Sequence, residues 1–512
     1  MPTGSGVEPQ QPTDGSINTT TELNAAPPTT GLRHRVLLGS AWTVAVFALA
    51  QALRLGSNLV LTRLLVPEVF GLMALANVFL FGLQMLSDVG IAASVIQNSR
   101  GDDPRFVNTA WTLQAVRGVG LSLAAAVIAW PASQFYGEPQ LLSVLPVLGL
   151  TAAIGGFHST ALLILRRRLQ LGRLSAIELA TQLIGITVMI VTAWSYRSVW
   201  ALVVGGIVSE LFRLVLSHLL FPELRPRFAW DREAVATIRS FGQWIFLSSA
   251  LFFFAGQADR LFLGRFASLD LVGIYSIAVM LTEAILTLVT NLTHGVLYPA
   301  LSQVAREDVA RLRGAYYRSR LLLDAISLPV LGILATTGSE VVRMLYDPRY
   351  EAAGWILQIL TIRVAMASIG TPCETCLFAL GHTRYGFYRS LARAIWVVGG
   401  IPLGWSFGGL HGLVLVIALS EIPVLAVLWT AFWRTGVLSP WREARAASFF
   451  GAGALIGCVV LEIARSQFSQ DQGRSRRRFC SPRAECSPGD HGSIQIDGTS
   501  GDSIGVVPLG AV

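Results

Sequence analysis

Apolar runs of about 20 residues recur along most of the chain, separated by short polar stretches rich in Arg. As a helix, each run is long enough to cross the ~30 Å hydrocarbon core of a bilayer. Backbone amides in lipid must be satisfied within their own segment or in a closed barrel, and barrel strands have about half this length. The pattern therefore predicts helical spans at roughly 37–61, 70–96, 108–130, 140–164, 174–195, 198–221, 240–264, 270–299, 320–346, 353–380, 389–407, 409–433 and 445–464. The thirteenth (Ala446 to Ile463) is the shortest in apolar content. Residues 1–31 are polar and rich in Thr, Pro and Gly. They read as an unordered cytoplasmic tail with no cleavable signal peptide. From residue 465 the chain turns to Ser, Gly, Asp and Arg without apolar periodicity, which predicts a second unordered tail over 465–512.

Composition agrees with this pattern. Of 512 residues, 53% are hydrophobic and 14% charged, against about 25% charged in an average soluble protein. The mean hydropathy is +0.57. The formal net charge is +8, and all 39 basic side chains are Arg. In a soluble protein that balance would suggest nucleic acid; here the arginines flank spans and set orientation. With the N-terminus inside, alternate loops hold about twenty Arg, from Arg100 and Arg105 through Arg166, Arg167 and Arg168 to Arg434, Arg442 and Arg445. The opposite loops hold only Arg63, Arg197, Arg265 and Arg349. This is a positive-inside distribution, with the N-terminus cytoplasmic. The last segment breaks it, because Arg474, Arg476, Arg477 and Arg478 follow a thirteenth crossing. Either that segment does not cross fully, or a shifted reading frame has replaced a hydrophobic end.

Shifting the chain by 202 positions without gaps reveals an internal repeat. Trp42 falls on Trp244; Leu59, Leu61 and Arg63 fall on Leu261, Leu263 and Arg265; Gly71 falls on Gly273 and Ala76 on Ala278. In both copies a span ends at an Arg, a short turn follows, and Gly lies near the start of the next span. The unit is six spans, an even number, so the copies share orientation. The expected fold is all-α and polytopic: a six-helix lobe over 32–222, a cytoplasmic linker over 223–239, a second six-helix lobe over 240–435 related by a parallel pseudo-two-fold axis, and one additional helix over 445–464. Repeats of this type are a transporter architecture with substrate bound between the halves.

The stretch LTRLLVPEVFGLMALANVFLFGLQMLSDVGIAASVIQ (Leu61 to Gln97) resembles the opening of Wzx-type oligosaccharide flippases, the polysaccharide exporters of the multidrug/oligosaccharidyl-lipid/polysaccharide superfamily. LRRRLQLGRLSAIELA (Leu165 to Ala180), SVWALVVGGIVSELFR (Ser198 to Arg213), ADRLFLGRFASLDLVGIYSIA (Ala258 to Ala278) and GVLYPALSQV (Gly295 to Val304) are similar to the family in order and spacing. The resemblance implies two six-helix bundles around a central cavity. It also implies movement of a polyprenyl-diphosphate-linked oligosaccharide from the cytoplasmic to the outer leaflet of a bacterial inner membrane. The partners it implies are that lipid-linked oligosaccharide, membrane lipids, and glycan polymerase and export machinery.

Such a cavity needs cations for diphosphate and hydrogen-bonding groups for sugar. Arg suits this because its planar fork bonds phosphate oxygens bidentately. Ionisable residues inside a membrane are expensive and are functional candidates by default. Arg54, Arg117, Glu210, Arg213, Asp259, Arg260, Glu283 and Arg363 are the candidates for substrate contact, and Glu283 and Glu421 for ion coupling. Each has a bland alternative. Arg54 and Arg260 can snorkel to the surface, and Glu210 and Arg213, at i,i+3, can form a structural ion pair. Asp259 matches an Asp often found at this point of the family's seventh span. Cys373 and Cys376 form Cys-x-x-Cys in an apolar helical run without a His or second pair nearby, which fits core packing better than metal binding. No Walker-type loop, His-Glu-x-x-His or nucleophile elbow occurs, so no cofactor, nucleic acid or catalysis is expected. The rival readings are a cation-coupled multidrug exporter of the same superfamily, which calls for an acidic, aromatic cavity, and a membrane-embedded glycan ligase or polymerase, which calls for a large outer loop.

Overall fold

The computed structural model describes residues 29–479, except 89, 99, 101–102, 169 and 221–225. Among these there are sixteen α-helices and no strand. In chain order they are α1 (Thr29–Leu64), α2 (Pro67–Leu86), α3 (Ile91–Gln97), α4 (Pro104–Tyr136), α5 (Leu141–Gly156), α6 (Ala161–Arg167), α7 (Leu171–Tyr196) and α8 (Trp200–Leu219). They continue as α9 (Arg232–Phe266), α10 (Leu269–Leu292), α11 (Tyr298–Glu307), α12 (Val309–Leu345), α13 (Ala353–Ala379), α14 (Arg384–Ala418), α15 (Glu421–Arg434) and α16 (Pro440–Phe479). Local sequence sets several starts. Pro67 and Pro104 occupy the first turns of α2 and α4, where a missing N–H costs nothing. The side chains of Asp103, Asp231 and Ser268 accept backbone N–H bonds at the starts of α4, α9 and α10.

Ten helical stretches among the described residues are long and apolar enough to cross a bilayer, or eleven if the α5–α6 pair, bent by 63°, is one broken span. One of the ten, Arg384–Arg434, holds two expected spans. The helix breaks at Gly409 (φ 54°, ψ −134°), a conformation open to glycine, and the chain folds back on itself. A side chain on Gly404 or Gly412 would collide with the other's backbone, and Trp396 Nε1 donates to the Val416 carbonyl at 2.9 Å. α9 is a further long helix, and its second half carries Gln257, Asp259, Arg260 and Arg265. With α9 and this fold-back counted, α1 to α8 supply six segments and α9 to α15 another six.

The two lobes meet at a pair of positions related by the repeat. A Cβ on Gly71 would strike the carbonyl of Leu269, and one on Gly273 the carbonyl of Pro67. Under the 202-residue shift Gly71 maps to Gly273 and Pro67 to Leu269, so each copy touches the other through the same pair of positions. That reciprocity is the mark of a two-fold contact. Tyrosines strap the same end: Tyr136 OH donates to Leu261 O at 3.3 Å, Tyr350 OH to Leu65 O at 3.1 Å, and Tyr346 OH to Asn58 Oδ1 at 3.2 Å.

Three expected boundaries differ. α9 starts at Arg232, inside the segment read as linker, because Asp231 caps it. The residues before it are stitched to α4: the N–H groups of Arg227, Ala229 and Asp231 donate to Asn108, Thr112 and Thr109 at 3.0, 3.1 and 3.2 Å. At the other end α16 continues to Phe479, so residues 465–479 are helical where composition predicts an unordered tail. α1 begins at Thr29, just inside the expected N-terminal tail; residues 1–28 and 480–512, the remainder of the two tails, lie outside the described residues. The chain divides into units 1–459 and 460–512, the second described only as the end of α16.

The first part of α16 is bound to α12. Gly453 and Gly457, a small-xxx-small pair, let its backbone approach Pro329 and Ile333. Glu443 accepts from Arg320 Nη1 at 2.8 Å through both oxygens, Arg320 Nε donates to Asp324 at 2.9 Å, and Tyr317 OH donates to Glu443 at 3.0 Å. Arg320 is 1% exposed.

Two outcomes are expected. Gly71→Leu forces the lobes apart and costs more than ~2 kcal/mol, read as a lower unfolding midpoint in detergent. Gly56→Leu, with no atom within 4 Å of the added carbon, leaves that midpoint unchanged. Glu443→Ala removes one of the two carboxylates on the buried Arg320, leaving Asp324, and costs about 1.5–3 kcal/mol, whereas Glu443→Leu combined with Arg320→Met and Asp324→Leu recovers most of the loss; equal loss in both variants would show that the charges are not what binds α16.

Candidate substrate cavity

A charged cavity lies inside the C-terminal lobe. It has a volume of about 540 Å³ and is walled by α9, α10, α13, α14 and α15, with Phe81 of α2 as its N-terminal-lobe contribution. Helical spacing explains which side chains face it. On α10, Tyr275, Val279, Glu283, Leu286 and Thr290 repeat at intervals of three or four, and on α13, Arg363, Ala367, Gly370 and Glu374 do the same. α14 presents Arg389, Arg393 and Val397, and α15 presents Glu421 and Val424. Between α10 and α11 the backbone takes one π-helical turn, Thr293–Leu297, which brings His294 to the lining. Such turns concentrate at functional positions.

Four carboxylates and four guanidiniums line this space. Arg363 is ion-paired directly with Glu283. Arg393 Nη1 sits 3.1 Å from Glu421 Oε1, and Arg389 Nε 2.8 Å from Glu374 Oε1. Arg260 Nη1 donates to Gln257 Oε1 at 2.8 Å. Asp259 differs from the other carboxylates, because it accepts from Tyr275 OH at 2.5 Å and from the Arg260 backbone N–H at 2.8 Å rather than forming an ion pair. Arg363, Glu374 and Glu421 are each less than 10% exposed. Charges so enclosed persist only when paired, since desolvating a lone ion costs several kcal/mol. The pairing is incomplete, however. The Nε donors of Arg260, Arg363 and Arg393, and the Ser420 hydroxyl, are buried without a hydrogen-bond partner.

Five of the nine residues singled out from sequence converge here: Asp259, Arg260, Glu283, Arg363 and Glu421. Four do not. Arg54 lies on an exposed face of α1. Arg117 ties α4 to the end of α2, donating to Ser87 Oγ at 3.0 Å and the Gln84 carbonyl at 2.6 Å. Glu210 pairs with His158 Nε2 at 3.3 Å rather than with Arg213. All four belong to the N-terminal lobe, and the cavity in the C-terminal lobe is lined by equal numbers of carboxylates and guanidiniums. Glu374, Arg389 and Arg393 were missed. Arg389 reads as a loop arginine that sets topology, and Glu374 hides inside the Cys-x-x-Cys run. The available signal was spacing: Glu374 lies three helical turns from Arg363, and Arg389 and Arg393 are at i,i+4. Cys373 and Cys376 are buried free thiols packed among Leu297, Tyr316 and Phe432. No group of three metal-ligating side chains occurs among the described residues.

Comparison with known proteins agrees with this architecture. The lipopolysaccharide biosynthesis protein WzxC of Escherichia coli (strain K12) is 22% identical over 396 residues, covering 76% of this chain and 79% of that protein. Among solved structures, the lipid II flippase MurJ in an inward closed conformation superposes with a TM-score of 0.62 at 12% identity, covering 85% of this chain and 99% of the other. An inward-facing multidrug resistance MATE family transporter of the MOP superfamily gives 0.57 at 15% identity, covering 79% and 94%. At such identities these two structures establish the fold. The profile of the family described as polysaccharide biosynthesis protein matches residues 60–354, more than half of the chain, and the chain belongs to that family.

Proposed function

We propose that this protein moves a polyprenyl-diphosphate-linked oligosaccharide across the bacterial inner membrane during synthesis of a surface polysaccharide, by alternating access and without covalent chemistry. The observation that carries the proposal is the set of four guanidiniums, Arg260, Arg363, Arg389 and Arg393, that line a cavity enclosed by long apolar helices. Diphosphate oxygens accept from such donors bidentately, and the cavity carboxylates accept from sugar hydroxyls. A charged headgroup is held among pre-placed polar groups while its hydrocarbon tail stays in lipid.

Binding and release then follow from the ion pairs. A diphosphate competes with Glu283 for Arg363 and with Glu421 for Arg393, and each freed carboxylate is a place for a coupling cation or proton. The N-terminus is cytoplasmic in this reading, and the product is handed to polymerase and export machinery on the outer face. The rival, a multidrug exporter, is favoured by the four carboxylates. Against it, four guanidiniums balance them, and the aromatic lining is limited to Phe81, Phe252 and Tyr275.

The test uses proteoliposomes loaded with a lipid-linked oligosaccharide whose sugar is reported by an impermeant lectin. The protein is expected to raise the rate at which sugar from the inner leaflet becomes accessible at least tenfold over empty liposomes, and the proposal fails if the two rates agree. Glu283→Ala alone removes the direct partner of the buried Arg363 guanidinium and destabilises by about 3–5 kcal/mol. Arg363→Ala with Glu283→Ala restores the unfolding midpoint and still flips at least tenfold more slowly than the unaltered protein. A double variant that flips at the unaltered rate would remove this pair from the substrate path.

A further inference from the structure

α14 presents polar residues on two opposite faces. Arg389, Arg393 and Val397 face the inner cavity. Arg384, Tyr388, Leu391 and Ile395, spaced i, i+4, i+7 and i+11, form a second stripe on the outward face. With Val427, Thr430 and Arg434 of α15 that stripe lines an open groove of about 630 Å³.

The groove has a head and a tail. The two helices run antiparallel, so Arg384 at the start of α14 and Arg434 at the end of α15 lie at the same end. From Arg384 to Ile395 the helix rises ~16 Å, about the hydrocarbon depth of one leaflet. The far end is apolar, with Ile395 66% exposed. No carboxylate lines the groove. Glu374, on α13, is already paired with Arg389. Arg384 Cζ stands 5.4 Å from the Tyr385 ring, and among the described residues neither Arg384 nor Arg434 has an ion-pair or hydrogen-bond partner. The first turn of α14 contains no acidic residue, and Thr383 makes no side-chain cap. A cation at that position opposes the helix dipole, so a bound anion relieves two unfavourable terms together.

We infer that this groove binds one anionic glycerophospholipid of the arginine-rich leaflet, with its phosphate at Arg384 and Arg434 and an acyl chain along Leu391, Ile395 and Val427. Two unneutralised guanidiniums complement a net negative headgroup, whereas the ammonium of a zwitterionic lipid finds no carboxylate here. The site faces away from the inner cavity and does not depend on what that cavity carries.

Native mass spectrometry and thermal unfolding of the purified full-length protein in detergent test this inference. Phosphatidylglycerol is expected to be retained and to raise the unfolding midpoint, and phosphatidylethanolamine with the same chains is not. Arg384→Gln with Arg434→Gln, and separately Ala392→Trp, which fills the apolar wall without changing charge, should each weaken phosphatidylglycerol retention at least tenfold; unaltered gel-filtration profiles show that both remain folded. If they do not, the headgroup selectivity of the unaltered protein decides alone. Equal retention of both lipids, or retention unaffected by either substitution, overturns the inference. So does stabilisation by inorganic phosphate alone equal to that by the lipid, which marks a simple anion site. A polyprenyl phosphate that displaces phosphatidylglycerol at equal concentration also overturns it, and assigns the groove to the tail of a carried lipid.

Discussion

Two glycines set how closely the halves of this protein stand. Gly71 and Gly273 have no side chains to keep α2 and α10 apart, so each backbone rests on the other's carbonyl one turn earlier. In lipid, helices gain little from burying apolar surface against one another, and close packing supplies most of the association. The contact sits at the first turns of both helices, at the end where Tyr136, Tyr346 and Tyr350 cross between lobes. The lobes are thus pinched at one end. The cavity runs away from the pinch along α10, from Tyr275 to His294, a rise of ~28 Å. Any motion that opens the pinched end must turn about these glycines and break three tyrosine hydrogen bonds.

The cavity illustrates the cost of keeping charge at membrane depth. Three of its guanidiniums are neutralised by carboxylates on α10, α13 and α15, so the resting cavity is balanced rather than cationic. Balance makes the empty state tolerable, and ion pairs whose guanidiniums face the space give an anion something to compete for. A cavity with four bare arginines would expel itself from lipid, and one with every donor satisfied would have nothing to offer a ligand.

The all-helical membrane architecture and the repeat were legible in the sequence because they follow from length, periodicity and identity. Gly71 and Gly273 fall in register under a single shift, and the fold adds that they touch. Boundaries were less legible. The composition around Arg232 and beyond Ser466 is polar, and the helices there are held by the Asp231 cap and by continuity from α16 rather than by an apolar face. The site was half legible. Mid-span charge flags Glu283 and Arg363, which meet across two helices, but it flags Arg117 equally, and there the guanidinium is used up on Ser87 and a backbone carbonyl. Whether a buried charge is spent on the scaffold or turned toward an open space depends on neighbours from distant segments.

The repeat itself shows how the division arose. Under the same 202-residue shift that superposes the glycines, Asp259 corresponds to Ser57, Arg260 to Asn58, Tyr275 to Met73 and Glu283 to Phe81. At each position the C-terminal lobe places a polar or ionisable cavity group where the N-terminal lobe has a neutral one, and Phe81 is the residue of that lobe that reaches the cavity. The symmetry was kept in the backbone contact between Gly71 and Gly273. It was abandoned in the side chains, because a two-fold copy of the cavity would double the buried charge without adding a second path through the membrane. Close packing and charge are therefore separable here: Gly71 and Gly273 obey the repeat and bring the lobes together, and the ionisable cavity residues break it.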